Sequence, residues 1–186
     1  WIEALHPTWV PRTLSQHLDH MASHFGDSPL VITDTCSYSY SDIVQWSIEL
    51  AAGLVNAGIR VGDHIALIMG NYPEFVALKF AIARMGAVAV PINYLLRARE
   101  IEYIVLQSDA VMLITMDGFL DRDYLADLDE LVPGWAQPTP ADLGLGKLQR
   151  VVVFETAEVA PRYGTKYTLR TLQQAGTAHD YRRMQD

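Results

Sequence analysis

The sequence predicts an α/β fold, a mainly parallel sheet with helices on both faces, with a small hairpin near residues 30–41. Two observations carry this. Helical stretches with apolar residues three and four positions apart alternate with short strands that are apolar at every position. A strand with one wet face would show every second residue polar, so these strands are covered on both sides. The second observation is punctuation: caps precede the helices and glycines close them, leaving connections too short for anything but alternating units of one sheet.

The elements follow in order. Residues 13–25 form a helix with Leu14, Leu18, Met21 and Phe25 on one face, ended by Gly26-Asp27. Leu30-Val31-Ile32-Thr33 and Tyr38, with the turn between them, make the hairpin. Ser39-Tyr40-Ser41-Asp42 has capping-box spacing, in which the serine hydroxyl accepts an orphan amide and the aspartate sits near the positive helix end. Ile43, Trp46, Leu50, Leu54 and Ala57 then recur at helical spacing. Gly58 follows where a left-handed cap wants no Cβ. The run Ile65-Ala66-Leu67-Ile68-Met69 is a buried strand. Asn71-Tyr72-Pro73-Glu74 repeats the cap, and a helix with Phe75, Leu78, Ile82 and Met85 on one face closes at Gly86. Ala87-Val88-Ala89-Val90-Pro91 is the next strand, with Pro91 at its exit. Residues 100–108 form a helix with Ile101, Ile104 and Val105 inward, leading to the strand Val111-Met112-Leu113-Ile114. Residues 120–131 read as helix with Leu125, Leu128 and Val132 as its stripe, stopped by Pro133-Gly134. Residues 135–147 form a surface loop or linker, rich in proline and glycine. Val151-Val152-Val153-Phe154 is a buried strand, residues 169–175 a short helix, and 177–186 a flexible polar tail.

Composition sets limits on function. The chain has 186 residues, 50% apolar and 19% charged, enough for one domain with a core. A formal charge of −8 opposes a nucleic-acid partner and gives no attraction to anionic lipid. No apolar run approaches the ~20 residues of a membrane span. The opening Trp1-Ile2-Glu3-Ala4-Leu5-His6-Pro7 lacks a basic start and a long apolar stretch, so no signal peptide is visible. With a single cysteine, Cys36, no internal disulfide forms. These features lead to the expectation of a cytoplasmic protein.

Five blocks of residues, taken in order, resemble a family. Ser39-Tyr40-Ser41-Asp42, Ala51-Ala52-Gly53-Leu54, Gly58-Ile59-Arg60-Val61-Gly62-Asp63, Asn71-Tyr72-Pro73-Glu74-Phe75 and Gly86-Ala87-Val88-Ala89-Val90-Pro91-Ile92-Asn93 look like the N-terminal region of the adenylate-forming superfamily. The wording of the last block is similar to acyl-CoA synthetases. Residues 100–114 and 148–176 resemble the strands and helices that follow in that family. The resemblance implies a ligase that joins a carboxylate to ATP, releasing pyrophosphate, and then passes the acyl group from AMP to the thiol of coenzyme A. ATP, Mg²⁺ and coenzyme A are thus implied for the parent enzyme, with a carboxylic acid as substrate. The remainder of the polypeptide is a partner of this part, and oligomeric state is open.

The family's phosphate loop, a Ser/Thr/Gly-rich run ending in Pro-Lys-Gly, has no match in the chain. Tyr163-Gly164-Thr165-Lys166 has one glycine, too few for a nest of backbone amides. Gly144-Leu145-Gly146-Lys147 lacks glycine at Ala141 and Ser or Thr at Leu148, so it fails as a P-loop, and Gln149 spoils the dinucleotide pattern. The expectation is an N-terminal fragment, cut before the phosphate loop and trimmed ahead of Trp1, that holds no catalytic residue and binds none of the cofactors tightly. The alternatives are a self-contained α/β interaction module, or another adenylate-forming enzyme such as an amino-acid adenylation domain.

Four residue groups offer chemistry. His17, His20 and His24 share one helical sector, a geometry able to bind zinc, yet only Asp19 lies nearby to complete a set, so no metal site is assigned. His64 and His179 each neighbour an aspartate in sequence, and adjacent residues do not orient one another as a catalytic pair. Cys36 in the hairpin turn has no local histidine base and reads as a structural thiol. In the family the loop after the strand that matches Ala87-Val88-Ala89-Val90-Pro91 often reads Asn-Pro-Arg-Leu, with its arginine near the phosphates of coenzyme A. Tyr94 stands at the proline position here and Leu95 at the arginine position, which leaves Arg97 as the candidate coenzyme-A contact against the alternative of a charged first helical turn.

Overall fold

The computed structural model describes residues 10–136, 142–156 and 168–176 of the chain. Helix α1 (Leu14–Phe25) starts at Thr13, whose hydroxyl accepts the Gln16 amide while the Gln16 side chain returns to the Thr13 amide. Strands β1 (Pro29–Ile32) and β2 (Ser37–Ser39) pair antiparallel as the expected hairpin. Helix α2 (Tyr40–Asn56) then begins with the full Ser39/Asp42 capping box and ends before Gly58, whose φ of +89° is the left-handed geometry glycine tolerates. Next come β3 (His64–Ile68), α3 (Pro73–Arg84), β4 (Val88–Ile92), α4 (Ala98–Gln107) and β5 (Ala110–Met116). A short hairpin, β6 (Gly118–Phe119) and β7 (Arg122–Asp123), leads into α5 (Tyr124–Leu131), followed by β8 (Arg150–Phe154) and α6 (Leu169–Ala175).

Four strands form one parallel sheet in the order β4-β3-β5-β8. The connection from β3 runs outward to β4, and the next returns across β3 to β5. Right-handed crossovers therefore place α3 and α4 on opposite faces. The packing agrees, since α3 lies against α1 and α2, and α4 against α5. Helices on both faces dry the central strands: Ile65 and Leu67 of β3 and Met112 and Ile114 of β5 have no exposed surface. Burying one such side chain contributes roughly 1.5–3 kcal/mol.

Several expectations change. Of the α1 stripe only Leu18 is buried, whereas Leu14 and Phe25 are 66% and 50% exposed, because the helix meets its neighbours through Ser15, Leu18 and Asp19 and not along its length. Asn71 does not cap α3: the cap position is Tyr72, without a side-chain hydrogen bond, and Pro73 in the first turn removes one of the amides a cap would serve. Pro91 lies inside β4 rather than at its exit, which the sheet tolerates because β4 is an edge strand. Residues 120–123, expected in a helix, form the tight hairpin, and the helix starts at Tyr124 behind an Asp123 cap. In the connector after α5, Trp135 and Leu145 are buried, and the Trp135 indole donates to Asp129.

Candidate functional site

In open parallel sheets ligands bind beyond the carboxyl ends of the strands, where successive crossovers part to opposite sides. Here that point lies between β3 and β5, the strands that feed α3 and the β6–β7 hairpin. The exits carry Gly70 and Tyr72 from β3, Asn93 and Tyr94 from β4, Asp117 from β5, and Glu155 and Thr156 from β8. Gly70 packs closely against two rings, since a Cβ there would sit 3.3 Å from the Tyr72 ring and 3.6 Å from that of Phe119.

Asp117 is the node of this edge. It is buried, and one carboxylate oxygen accepts from the Gly118 amide at 2.7 Å, the Thr156 amide at 3.0 Å and the Thr156 hydroxyl at 2.6 Å. Its own amide donates to Phe154, and its carbonyl accepts from the Tyr124 amide. One side chain thus ties the exits of β5 and β8 to the start of α5, satisfying a buried charge with fixed donors.

The edge opens near β4 into a cleft of about 370 Å³ lined by Tyr94, Leu95, Arg97, Phe119, Arg122 and Tyr124, with Asp121, Asp123 and Asp127 among its walls. The Tyr94 carbonyl accepts from the Tyr124 hydroxyl at 2.6 Å and from Arg122 at 3.0 Å, and the Tyr94 and Phe119 rings meet edge to face at 5.1 Å. Burial raises the Tyr124 hydroxyl above its ordinary pKa, partly offset by the guanidinium of Arg122, so it stays a neutral donor. Arg122 pairs with Asp127 at 2.6 Å, and Asp123 caps α5.

The structure therefore puts Arg97 in this cleft, one residue earlier than a first helical turn. It is the N-cap of α4, where its amide donates to the Glu100 carboxylate at 2.8 Å. Its guanidinium forms no ion pair among the described residues. Leu95, at the family's arginine position, projects into solvent beside it, above an Asn93 side chain that accepts the Leu95 amide.

The other sequence candidates go elsewhere. His20 and His24 touch edge to face, but the His24 Nδ1 contacts the His20 carbonyl and the Ser23 hydroxyl, and Asp19 faces Arg84 on α3. The His20 imidazole is pushed below its ordinary pKa, by the loss of water around it first and then by Arg12, His24 and His17. No group of three His, Cys, Asp or Glu suited to a metal occurs among the described residues. Cys36 is exposed in the β1–β2 turn, and the His64 Nδ1 contacts the Ser108 carbonyl at the opposite end of the sheet. Gly144 and Gly146 turn ahead of β8 with Lys147 paired to Asp109, so this run sits at the amino end of the strand, away from the cleft. Residues 163–166 and His179 lie outside the described residues. Arg122, Tyr124 and Asp117 were not singled out in the sequence. The Asp117-Gly118 pair was the available turn signal, masked by the helical pattern that follows it.

Comparison with known proteins decides the family. The profile described as "AMP-binding enzyme" matches residues 18–162. The chain belongs to the AMP-binding, adenylate-forming family. It is 32% identical over 136 residues to a Bacillus subtilis protein named as the acyl-CoA synthetase YngI, covering 72% of this chain and 25% of that protein. It is 28% identical over 179 residues to a crotonobetaine/carnitine--CoA ligase of Salmonella paratyphi C, covering 89% of this chain and 34% of the relative. The chain thus spans about a quarter to a third of these relatives' length. Among solved structures it superposes on the anthranilate CoA ligase AuaEII with a TM-score of 0.73 at 20% identity, over 91% of this chain and 29% of that one. The N-terminal domain of FACL13 from Mycobacterium tuberculosis gives a TM-score of 0.70 at 22% identity, over 90% and 37%. At these identities the structural likenesses establish the fold: this chain is the N-terminal α/β portion of a member of the adenylate-forming family.

Proposed function

We propose that the whole protein is an ATP-dependent acyl-CoA ligase, and that this chain supplies the parallel sheet and one wall of the coenzyme-A cleft. The observation that supports this reading is the similarity to relatives named as an acyl-CoA synthetase, at 32% identity, and a crotonobetaine/carnitine--CoA ligase, at 28%. The chemistry would run in two steps. A carboxylate oxygen attacks the α-phosphorus of ATP and expels pyrophosphate; the thiolate of coenzyme A then attacks the acyl carbon and expels AMP. Activation is required because oxide is too poor a leaving group for direct displacement.

The residues here fit one part of that task. Arg97, uncommitted to a carboxylate at the mouth of an aromatic-walled cleft, offers a fork of donors to a phosphate of coenzyme A. Arg122 is already engaged by Asp127 and the Tyr94 carbonyl and serves to shape the cleft. ATP and Mg²⁺ are assigned to parts of the protein other than this chain. In the whole encoded protein, Arg97→Ala is expected to raise KM for coenzyme A several-fold with little change in kcat, as befits a contact made equally in ground and transition states. An unchanged KM contradicts the assignment. The chain alone is expected to bind ATP weakly or not at all, and calorimetric binding at low micromolar Kd would overturn that division of labour.

A further inference from the structure

A second cavity, of about 460 Å³, opens between α2, the first turn of α3, the exit of β8 and α6. Its walls combine aromatic faces with negative charge. Trp46 and Phe154 line it, and each is backed by another ring, Tyr38 at 5.6 Å from Trp46 and Tyr72 edge-on at 5.0 Å from Phe154. The Trp46 ring is held in place: its indole nitrogen donates to Gln173 at 3.1 Å, and Gln173 donates in turn to Glu49 at 2.8 Å. That donor is spent within the protein, so Trp46 brings its ring and no free N–H to the cavity. Glu74 enters the same space half-buried, and no cationic side chain among the described residues is paired with it. A carboxylate and fixed aromatic faces around a void are the chemistry that recognises an organic cation, whose charge the rings and the carboxylate share.

We propose that this cavity is a binding site for a small organic ammonium ion, seated on the Glu74 carboxylate between the Trp46 and Phe154 rings. The site is separate from the Arg97 cleft and does not depend on the ligase reading. Burial holds the Glu74 carboxyl above its ordinary pKa, against the pull of a backbone amide. A bound cation reverses that shift, so affinity rises with pH as Glu74 gives up its proton. The charged groups around it act in known directions. Glu155, beyond β8, adds to the attraction, and Arg170, on α6, opposes it. Glu49 is occupied by Gln173, Lys79 of α3 sits over the Phe75 ring, and the Tyr38 hydroxyl is raised above its ordinary pKa by burial first, then by Cys36 and by the charge of Glu74.

The test is a titration of the whole encoded protein with tetramethylammonium chloride, followed by the NMR signal of the Trp46 indole N–H, with sodium chloride at equal ionic strength as the reference. The signal is assigned by its loss in Trp46→Phe. The expected result is a saturable shift at millimolar cation, weakened at least tenfold in Glu74→Gln and not weakened in Arg170→Ala, with an unchanged backbone spectrum showing that both variants fold. No shift beyond the sodium chloride reference, or equal affinity in Glu74→Gln, overturns the proposal.

Discussion

Two side chains show how local chemistry fixes this molecule. Ser39 and Asp42 satisfy each other's backbone amides at the start of α2, so Ser39→Ala is expected to cost ~1 kcal/mol of stability in urea denaturation. The Asp42 carboxyl is held below its ordinary pKa by the Ser39 amide and hydroxyl. Its contribution is therefore present above the usual aspartate range and is lost as pH falls through the lowered value. Glu74 has the opposite sign. Its folded pKa is raised, so the folded state holds a proton that the unfolded chain releases, and stability falls as pH rises through the interval between the two values. Glu74→Gln should consequently gain melting temperature over the native chain as pH rises through that interval and lose the advantage below it. Thermal scans across the acidic range would show a constant difference if burial of Glu74 did not matter.

At the scale of elements, glycine explains a sequence block better than helix propensity does. Gly53 lies in the middle of α2, where it costs ~1 kcal/mol relative to alanine in propensity alone, but a Cβ there would meet the Leu172 carbonyl of α6 at 2.0 Å. Gly176 answers from the other side, where a Cβ would come 2.0 Å from the Glu49 carbonyl. Gly53→Ala is thus expected to destabilise by about 1–3 kcal/mol through overpacking, despite its better propensity, and a gain in stability would contradict the close α2–α6 approach. The tie between α1 and α3 was hidden in the sequence. Arg84, with 2% of its side chain exposed, donates to Asp19 and to the Ser47 hydroxyl, joining three helices. Asp19→Ala leaves that guanidinium without its carboxylate and should cost roughly 1–3 kcal/mol. Patterns within one element are legible because periodicity and capping act over a few residues: Ile43, Leu50 and Leu54 of α2, Ile65 and Leu67 of β3 and Val152 of β8 are buried as their spacing predicts, and α6 spans the residues expected of it. What depends on contact between distant segments was not legible. The exposure of Leu14 and Phe25, the β6–β7 hairpin, and the Asp117 node joining residues 39 positions apart all belong to that class.

For the whole molecule, the parallel sheet and the two helical layers follow from alternating buried strands and amphipathic helices, whereas the strand order β4-β3-β5-β8 comes from contacts between distant segments; given that order, the right-handed crossover rule sets which face each helix takes. That geometry gathers Tyr94, Arg97, Phe119 and Arg122 at one edge, although they belong to two loops separated by α4 and β5. Only Arg97 could be named from the sequence, because its role rested on a position relative to Leu95, whereas Arg122 and Tyr124 became neighbours of that site through folding. The cavity around Trp46 and Glu74 is likewise a product of four elements meeting.

The proposed function makes this chain part of an enzyme that activates a carboxylate with ATP. The most direct measurement is pyrophosphate exchange into ATP by the whole encoded protein, with and without a panel of aliphatic and aromatic carboxylic acids. The account predicts exchange that depends on an acid and proceeds without coenzyme A, since the first step needs no thiol. Absence of acid-dependent exchange across the panel, in a folded protein with Mg²⁺ supplied, would contradict it.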